Sequence, residues 1–337
     1  MRDIYEPEPP DRLNVPAIDR IVNVFDHVHS SKQCPVIEIT SGTAGAGKTH
    51  LLYYLITATV LPGSLNGRTW GGKGGAAIVL DTEGTFDVNR LVLIMETYVE
   101  RMLGKIGEAD DNVSDAAPRS LIINALQHVH IFRPHSLASL VSTIQSIPAY
   151  MFSFSDHYST NRGLELVALD SITAFFWQSK NAEETERFET AAQTIDHRKP
   201  ANDKHQQFVD GLRDLQKQFG CAIVATSWGI SPVQPQHPGS SRSFRPVLPP
   251  IWQSFCTLRL VVARDVVKKF PHDMSVEQAR KDAGERQTAV EEGNFSAWVD
   301  QWASDSWSDD VWKRLKSSER NGSFTFRITN DGLEMGD

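Results

Sequence analysis

The sequence has few cysteines, no long hydrophobic run and no excess of positive charge. Its three cysteines, Cys34, Cys221 and Cys256, are widely separated and lack the paired spacing of zinc ligands. That pattern favours buried reduced thiols over disulfides or a metal site. No stretch of about 18 apolar residues could span a bilayer, and the amino terminus lacks an apolar signal segment. We therefore expect a soluble intracellular protein.

The charge balance limits how the protein could meet nucleic acid. The chain carries 34 lysines and arginines against 42 acidic residues, a formal net charge of -8. A chain of this charge is poorly suited to coating nucleic acid by bulk electrostatics. Any contact with DNA must then be local or shared with partners. The hydrophobic fraction of 40% is high enough for a sizeable folded core.

A complete phosphate-binding loop is present near the start of the chain. Residues 42–49 match the pattern G-x-x-x-x-G-K-[ST], after a strand-like apolar run and before a helix-like one. In such a loop the main-chain N–H groups surround an anion, Lys48 reaches the β- and γ-phosphates, and the Thr49 hydroxyl binds Mg²⁺. The pattern predicts nucleotide binding, and the alternative is a glycine-rich turn that binds nothing.

Strand-like and helix-like patterns alternate along the chain, and two of the strand-like runs end on a carboxylate. Alternation of this kind predicts an α/β fold with a mostly parallel twisted sheet and helices on both faces. Helical spacing covers 91–102 and 136–148, whereas 104–118 indicates an acidic loop and the glycine cluster at 71–75 a flexible turn. The strand-like runs lie at 36–39, 76–80, 129–132, 164–170, 221–226, 258–262 and 323–329.

The start of the chain and one late stretch depart from this pattern. Residues 1–35 predict an amino-terminal arm and one helix packed on a core at 36–337. Within that core, 271–321 predicts a Trp-rich helical insertion, with Trp298 and Trp302 at i,i+4 spacing on one helical face. The sequence leaves open whether these indoles pack on the core or form a partner-binding surface.

Three motifs taken together resemble the RecA-like strand-exchange recombinases. They are the loop at 42–49, the run Asp81-Thr82-Glu83-Gly84-Thr85-Phe86 and the pair Asp170-Ser171. The resemblance implies a RecA-like P-loop ATPase core with late antiparallel strands. Most eukaryotic members carry an extra amino-terminal helical domain, for which this sequence has no room, so the resemblance is to a short eukaryotic paralogue. Further similarity lies at 61–91, 257–260 and 326–333.

The resemblance implies a role for each site residue. Glu83 matches the family's water-activating glutamate and is the implied catalytic residue. Asp170 matches the acidic residue that binds Mg²⁺ through water, so ATP and Mg are the implied cofactors and Thr49 and Asp170 the metal-binding residues. Near Thr226-Ser227-Trp228 active members usually have a glutamine that senses the γ-phosphate, and Trp228 lacks its amide, so ATP binding is better supported than turnover. The implied nucleotide-binding residues are Gly42, Thr43, Ala44, Gly45, Ala46, Gly47, Lys48, Thr49 and Asp170.

The resemblance also implies a cellular role. It implies a nuclear subunit of a heteromeric paralogue complex, which binds ATP, contacts other recombinase paralogues and the recombinase filament, and assists repair of DNA double-strand breaks by homologous recombination. Whether the chain has a weak or partner-dependent DNA-stimulated ATPase activity is left open. The alternatives are a nucleotide-independent scaffold subunit of such a complex and an autonomous DNA-stimulated ATPase.

Two segments are candidates for contact with DNA. Residues 229–250 contain no acidic residue and carry His237, Arg242 and Arg245, at the family's second DNA-contact position. They could touch the phosphates of single-stranded DNA or form a plain surface loop, and the sequence does not decide between the two. The first-loop region at 179–207 contains four glutamates, so direct DNA contact is less favoured there.

Overall fold

The computed structural model describes nine segments of the chain, which hold thirteen strands and ten α-helices. The segments are 12–26, 34–65, 68–106, 116–192, 201–229, 231–233, 243–265, 274–302 and 307–336. The strands are β1 Val36–Ser41, β2 Ser64–Leu65, β3 Arg68–Thr69, β4 Ala76–Asp81, β5 Val129–Phe132, β6 Leu164–Asp170, β7 Ala222–Trp228, β8 Ser231–Val233, β9 Ser243–Arg245, β10 Leu258–Arg264, β11 Asn294–Val299, β12 Ser323–Ile328 and β13 Leu333–Met335. The helices are α1 Pro16–Asp26, α2 Lys48–Val60, α3 Val88–Ile106, α4 Ala116–Leu126, α5 Leu137–Met151, α6 Phe176–Ala192, α7 Ala201–Phe219, α8 Pro250–Phe255, α9 Val276–Glu292 and α10 Asp309–Ser317.

Nine of these strands form one mixed sheet in the order β13-β12-β11-β10-β1-β7-β6-β4-β5. The six strands from β10 to β5 in that order pair in parallel, whereas β11, β12 and β13 pair antiparallel. This confirms the predicted α/β fold, including the late antiparallel strands. The carboxyl ends of β1, β4, β6 and β7 all lie at the same edge of the sheet because these strands are parallel.

Buried side chains cover both faces of the sheet. On β1, Ile37 and Ile39 belong to a core with α1, α2 and α3, whereas Val36 belongs to a second core with α5, α7 and α8. Strands buried on both faces need apolar residues at consecutive positions, which is why they read as uninterrupted apolar runs in the sequence. Helix α2, which follows the phosphate-binding loop, is buried on nearly all sides. The loop therefore sits on a rigid support.

Helix α1 packs on the first of these cores. Its apolar residues Ile18, Ile21, Val22 and Phe25 are buried, and the Phe25 ring meets Trp307 edge to face with centroids 5.2 Å apart. A helix in this place was predicted from the helical spacing. The predicted arm at the start of the chain falls largely on residues 1–11, which lie outside the described residues, as do residues 27–33. The boundary at residue 35 stays a prediction.

The stretch predicted as a Trp-rich helical insertion contains a strand. Trp298 lies on β11, where it pairs with Val261 of β10 and Ser323 of β12. The prediction that Trp298 and Trp302 share one helical face is therefore wrong. The physical reason is that Phe295, Ala297 and Val299 alternate into the core with period two. Helices α9 and α10 flank this strand, and the extent of an insertion stays a prediction.

Three smaller expectations also differ from the structure. The acidic loop predicted at 104–118 is shorter, because α3 continues to Ile106 and α4 begins at Ala116; residues 107–115 lie outside the described chain. Helix α5 does not end near Pro148 but continues to Met151, since buried Ile147 and Met151 keep its core contacts. The first-loop region 179–207 is largely helical where it is described, in α6 and α7.

The glycine cluster at 71–75 is tied down by hydrogen bonds to the end of α2. The amide of Gly74 donates to Leu61 O over 2.8 Å, and that of Lys73 donates to Ala58 O over 2.9 Å. These amides satisfy carbonyls that a helix end leaves unpaired. The cluster is thus a helix-capping turn.

Among the described residues, no helix combines the length and apolar character needed to cross a membrane.

Candidate nucleotide-binding site

The phosphate-binding loop joins the carboxyl end of β1 to the first residue of α2. Two glycines in the loop have left-handed backbone, Gly45 with φ 67° and Gly47 with φ 91°. An added Cβ at Gly45 would meet nothing within 4 Å, whereas one at Gly47 would lie 3.0 to 3.2 Å from side chains of β11 and β12. Glycine at 47 is thus needed both for its backbone and for the close packing beneath the loop.

Lys48 places its ammonium group beside the loop. Its Nζ donates to Ser41 Oγ over 2.6 Å and lies 4.1 Å from the centroid of the Trp228 ring. The side chain is buried, and this burial lowers the pKa of the Lys48 amine, while the nearby carboxylates of Asp170 and Glu83 oppose that change. The ammonium group therefore lies among a hydroxyl, an indole ring and two carboxylates.

Asp170 ends β6 and faces the hydroxyls of two neighbouring elements. Thr49 donates to Asp170 Oδ2 over 2.9 Å, and Thr226 of β7 donates to Oδ1. Burial raises the pKa of the Asp170 carboxyl, and the two hydroxyl hydrogen bonds counteract that rise by stabilising the charged form. The arrangement supplies a carboxylate and a hydroxyl side by side, which are the oxygen ligands that Mg²⁺ prefers.

Glu83 lies in the turn after β4 and reaches the same edge of the sheet. Its Oε1 accepts hydrogen bonds from Ser171 Oγ and, over 3.2 Å, from the indole nitrogen of Trp228. Asp81 holds this turn: its buried carboxylate accepts the main-chain N–H groups of Thr85 and Phe86. Glu83 is itself exposed, so it is oriented by its partners and remains open to solvent.

Comparison with known proteins gives relatives that are named as DNA repair proteins. The chain is 28% identical over 145 residues to DNA repair protein RAD51 homolog 3 of Cricetulus griseus, a match that covers 42% of this chain and 36% of that protein. It is 22% identical over 240 residues to the Dictyostelium discoideum RAD51 homolog 3, covering 71% and 55%. It is 19% identical over 268 residues to the Arabidopsis thaliana DNA repair protein XRCC2 homolog, covering 68% of each. No family model matches.

The chain resembles the RecA-like recombinase paralogues. The names of these relatives place them in DNA repair, and the mostly parallel sheet with helices on both faces is the α/β core that the resemblance implies. The matched region spans about a third to a half of the first two relatives, at 36% and 55% of their lengths. The activity and partners of the whole protein therefore remain matters for proposal.

The fold brings four residues that were chosen from the sequence to one place. Lys48, Thr49, Asp170 and Glu83 lie just beyond the carboxyl ends of β1, β4 and β6. Thr49 donates a hydrogen bond to Asp170, and Trp228 joins Lys48, by a cation–π contact, to Glu83, by a hydrogen bond. Their assignment to nucleotide and metal stays a prediction. Ser41 was missed as a contact residue, and Ser171 was named only as part of the pair Asp170-Ser171. Each is a polar residue at or just after the end of an apolar strand, which was the available signal.

A further residue that the sequence did not indicate is Phe244, on β9. A Cβ on Gly42, the first residue of the phosphate-binding loop, would overlap the Phe244 ring, and one on Gly229 would lie 2.7 Å from it. Strands β8 and β9 form a short antiparallel hairpin in the segment considered for DNA contact. Arg245 is exposed there, whereas His237 and Arg242 lie outside the described residues. The hairpin is thus packed directly on the loop.

Proposed function

We propose that this protein is a recombinase paralogue that binds ATP with Mg²⁺ at residues 42–49 and Asp170 and acts as a subunit in homologous recombination repair of DNA double-strand breaks. The observation that supports binding is the convergence of Lys48, Thr49, Asp170 and Glu83 at the edge where the phosphate-binding loop enters α2. The left-handed glycines and the start of a long helix are the other parts that a phosphate site requires.

Each residue would have its own part in holding the nucleotide. ATP supplies a phosphoanhydride bond and the charge that the loop must balance. The loop amides and the Lys48 ammonium would bind its phosphates, while Thr49 and Asp170 would hold Mg²⁺, the latter through water. Among the described residues no group of three or more His, Cys, Asp or Glu side chains could hold a metal, so most of the Mg²⁺ ligands would be water and phosphate oxygens.

Glu83 is the residue suited to orienting a water molecule for attack on a phosphate. Its carboxylate is exposed and is aimed by Ser171 and Trp228. A carboxylate in this role accepts a proton from water, or fixes the direction of its lone pair. We propose that hydrolysis in this paralogue is weak or depends on a partner, because Trp228 lies near the point where active family members usually carry a glutamine and has no amide to take its place.

In the cell, we propose, the paralogue works in the nucleus within a heteromeric complex of recombinase paralogues that assists recombinase filaments. The relatives' names, which place them in DNA repair, support the repair role. Contact with single-stranded DNA through residues 229–250 is part of the proposal, with exposed Arg245 as its described basic residue.

A nucleotide-independent scaffold is the second candidate function. The observation that favours it is the indole of Trp228, which contacts both Lys48 and Glu83. In that case the phosphate-binding loop would serve only as a rigid turn, and the protein would act through its interfaces.

Nucleotide affinity separates the two candidates. We would measure binding of Mg-ATP and Mg-ADP by calorimetry to the wild type, to Lys48→Ala and to the matched surface variant Lys217→Ala, whose ion pair with Asp214 is exposed. Binding by the wild type and Lys217→Ala, with a loss of at least about tenfold in Lys48→Ala, supports the proposal. Negligible binding by all three proteins leaves the scaffold.

Partner identity needs a separate experiment. The tagged paralogue would be purified from its native source, and the bound chains identified by mass spectrometry. Recombinase paralogues should be recovered with it, and their consistent absence would contradict the proposed complex.

A further inference from the structure

Trp228 lies across the phosphate-binding loop. The face of its indole ring is 4.1 Å from Lys48 Nζ, and its ring nitrogen donates to Glu83 Oε1 over 3.2 Å. The two residues that it joins come from different elements, α2 and the turn after β4. Trp228 is therefore the side chain that spans the gap between the cation of the loop and the opposite carboxylate.

That gap is the place that a third phosphate would need. In a phosphate-binding loop the lysine contacts the β- and γ-phosphates, and the residue that orients water must face the γ-phosphate. A γ-phosphate would thus lie between Lys48 and Glu83. The indole occupies this space, so the ring and a third phosphate compete for the same ammonium group.

The main chain at Trp228 is fixed on both sides. Its N–H donates to Thr173 Oγ1 over 3.2 Å, and the N–H of the next residue, Gly229, donates to Ser41 O over 2.8 Å. Trp228 also pairs with Ser41 in the register of β1 and β7. Since the backbone is held in the sheet, the ring can leave the gap by rotation of its side chain without displacement of β7.

We propose that Trp228 is a displaceable lid on Lys48 that makes the site favour nucleoside diphosphates over triphosphates. The inference rests on the proposed nucleotide binding at this loop. A diphosphate has no γ-phosphate, so it leaves the gap between Lys48 and Glu83 to the indole, which can stay on Lys48. A triphosphate binds only after the ring has turned away, which costs the cation–π contact and the hydrogen bond to Glu83. Trp228 is thus a specificity-determining residue of this site.

The size of the effect follows from the two contacts that the triphosphate must break. A partly buried cation–π contact and one hydrogen bond to a carboxylate together correspond to a change in affinity of about tenfold or more. Removing the ring should therefore raise the affinity for a triphosphate by about that factor. The affinity for a diphosphate should change by less than about threefold, since the diphosphate does not displace the ring.

The test uses the full chain and two variants at this position. Dissociation constants for Mg-ADP and for a non-hydrolysable Mg-ATP analogue would be measured for the wild type, Trp228→Ala and Trp228→Phe. Trp302→Phe is the matched control, because Trp302 is a partly exposed indole near the opposite edge of the sheet. Trp228→Ala should bind the analogue about tenfold more tightly than the wild type does. Trp228→Phe keeps a ring but no donor and should be intermediate, and it replaces the alanine variant if that protein does not fold.

Emission of the indole gives a second readout. The analogue, and not ADP, should shift the tryptophan fluorescence of the wild type and of Trp302→Phe, and the shift should be absent from Trp228→Phe. Unchanged analogue affinity in both Trp228 variants, with ADP and analogue bound well by the wild type, would overturn the lid while leaving the proposed function intact. Absence of binding of either nucleotide to every protein would overturn both.

Discussion

Arg259 donates from its Nε to the Oε1 of Glu38 over 3.1 Å, and the two residues face each other in the register of β10 and β1. Its Nη1 donates to Asp300 Oδ2 over 2.8 Å, so one guanidinium serves two carboxylates. Glu38 also accepts from Ser227 Oγ and from Trp252 Nε1. All of these groups are largely buried. The network ties β1, which leads into the phosphate-binding loop, to the antiparallel part of the sheet.

Replacing Arg259 should destabilise the protein strongly. Arg259→Met would leave Glu38 and Asp300 buried without their cation, and removal of one partner of a buried ion pair costs about 3–5 kcal/mol. Burial already raises the pKa of Asp300 against the effect of Arg259. The free energy of unfolding would be measured by urea denaturation. The control is Arg314→Met, because Arg314 pairs with Asp310 on an exposed helix surface and should cost about 0.5 kcal/mol or less. Similar losses in the two variants would contradict the role assigned to the network.

Contact between the β8–β9 hairpin and the phosphate-binding loop can be tested at Gly42. Gly42→Ala would place a methyl group into the Phe244 ring, so we expect a loss of about 1–3 kcal/mol in the free energy of unfolding. Phe244→Leu should relieve this clash, so the double variant should be more stable than the sum of the single changes predicts, by about 0.5–3 kcal/mol.

Gly284→Ala is the control for the glycine substitution. Gly284 lies inside exposed α9, and an added Cβ meets nothing within 4 Å. Alanine should therefore stabilise that helix by about 0.5–1 kcal/mol. If the effects of Gly42→Ala and Phe244→Leu simply add, the hairpin and the loop are not coupled.

The parts of the fold that were predictable from sequence are those with a single local pattern. Strands β1, β4 and β6 are buried on both faces, and their apolar runs could not be confused with surface helices. Strand β11 was missed because Trp298 and Trp302 happen to have helical spacing. The signals against a helix were the alternation from Phe295 to Val299 and the left-handed Gly293 that ends α9.

The residues of the candidate site differ in the kind of sequence signal that indicates them. Lys48 and Thr49 belong to a motif of eight consecutive residues, whereas Asp170 and Glu83 could be assigned only from the family resemblance. Thr226 and Phe244 come from distant parts of the chain. Their positions depend on β7 lying beside β1 and on the path of a hairpin, neither of which follows from local spacing.

Histidine burial should make stability depend on pH. His128 Nδ1 and His130 Nε2 both lie 2.8 Å from Ser159 Oγ, and burial lowers the pKa of each imidazole to about 4. Above a pH of about 6.5 both are neutral in the folded and unfolded states. As the pH falls from there towards 4, the unfolded chain binds protons that the folded protein does not, so the free energy of unfolding decreases.

Urea denaturation at pH 7 and pH 5 measures this decrease. We expect about 1–2 kcal/mol from each histidine over that interval. His130→Gln cannot be protonated, and its amide can still reach Ser159, so this variant should lose less stability than the wild type between the two pH values. A wild type whose stability is the same at pH 5 and pH 7 would contradict the prediction.

The hydroxyl of Thr49 should determine how strongly Mg²⁺ supports nucleotide binding. Thr49 Oγ1 lies 2.9 Å from Asp170 Oδ2, so the two oxygens can share one ion. Thr49→Val keeps the shape of the side chain but removes the oxygen, and Thr49→Ser keeps the oxygen with less bulk. Affinity for ADP would be compared in Mg²⁺ and in EDTA. The wild type and Thr49→Ser should both bind ADP more tightly in Mg²⁺ than in EDTA. In Thr49→Val this gain from Mg²⁺ should be smaller by a factor of at least about ten, while the affinity for ADP in EDTA should change little. If Thr49→Val instead weakens binding equally with and without Mg²⁺, the hydroxyl contributes to the shape of the loop and does not bind the metal.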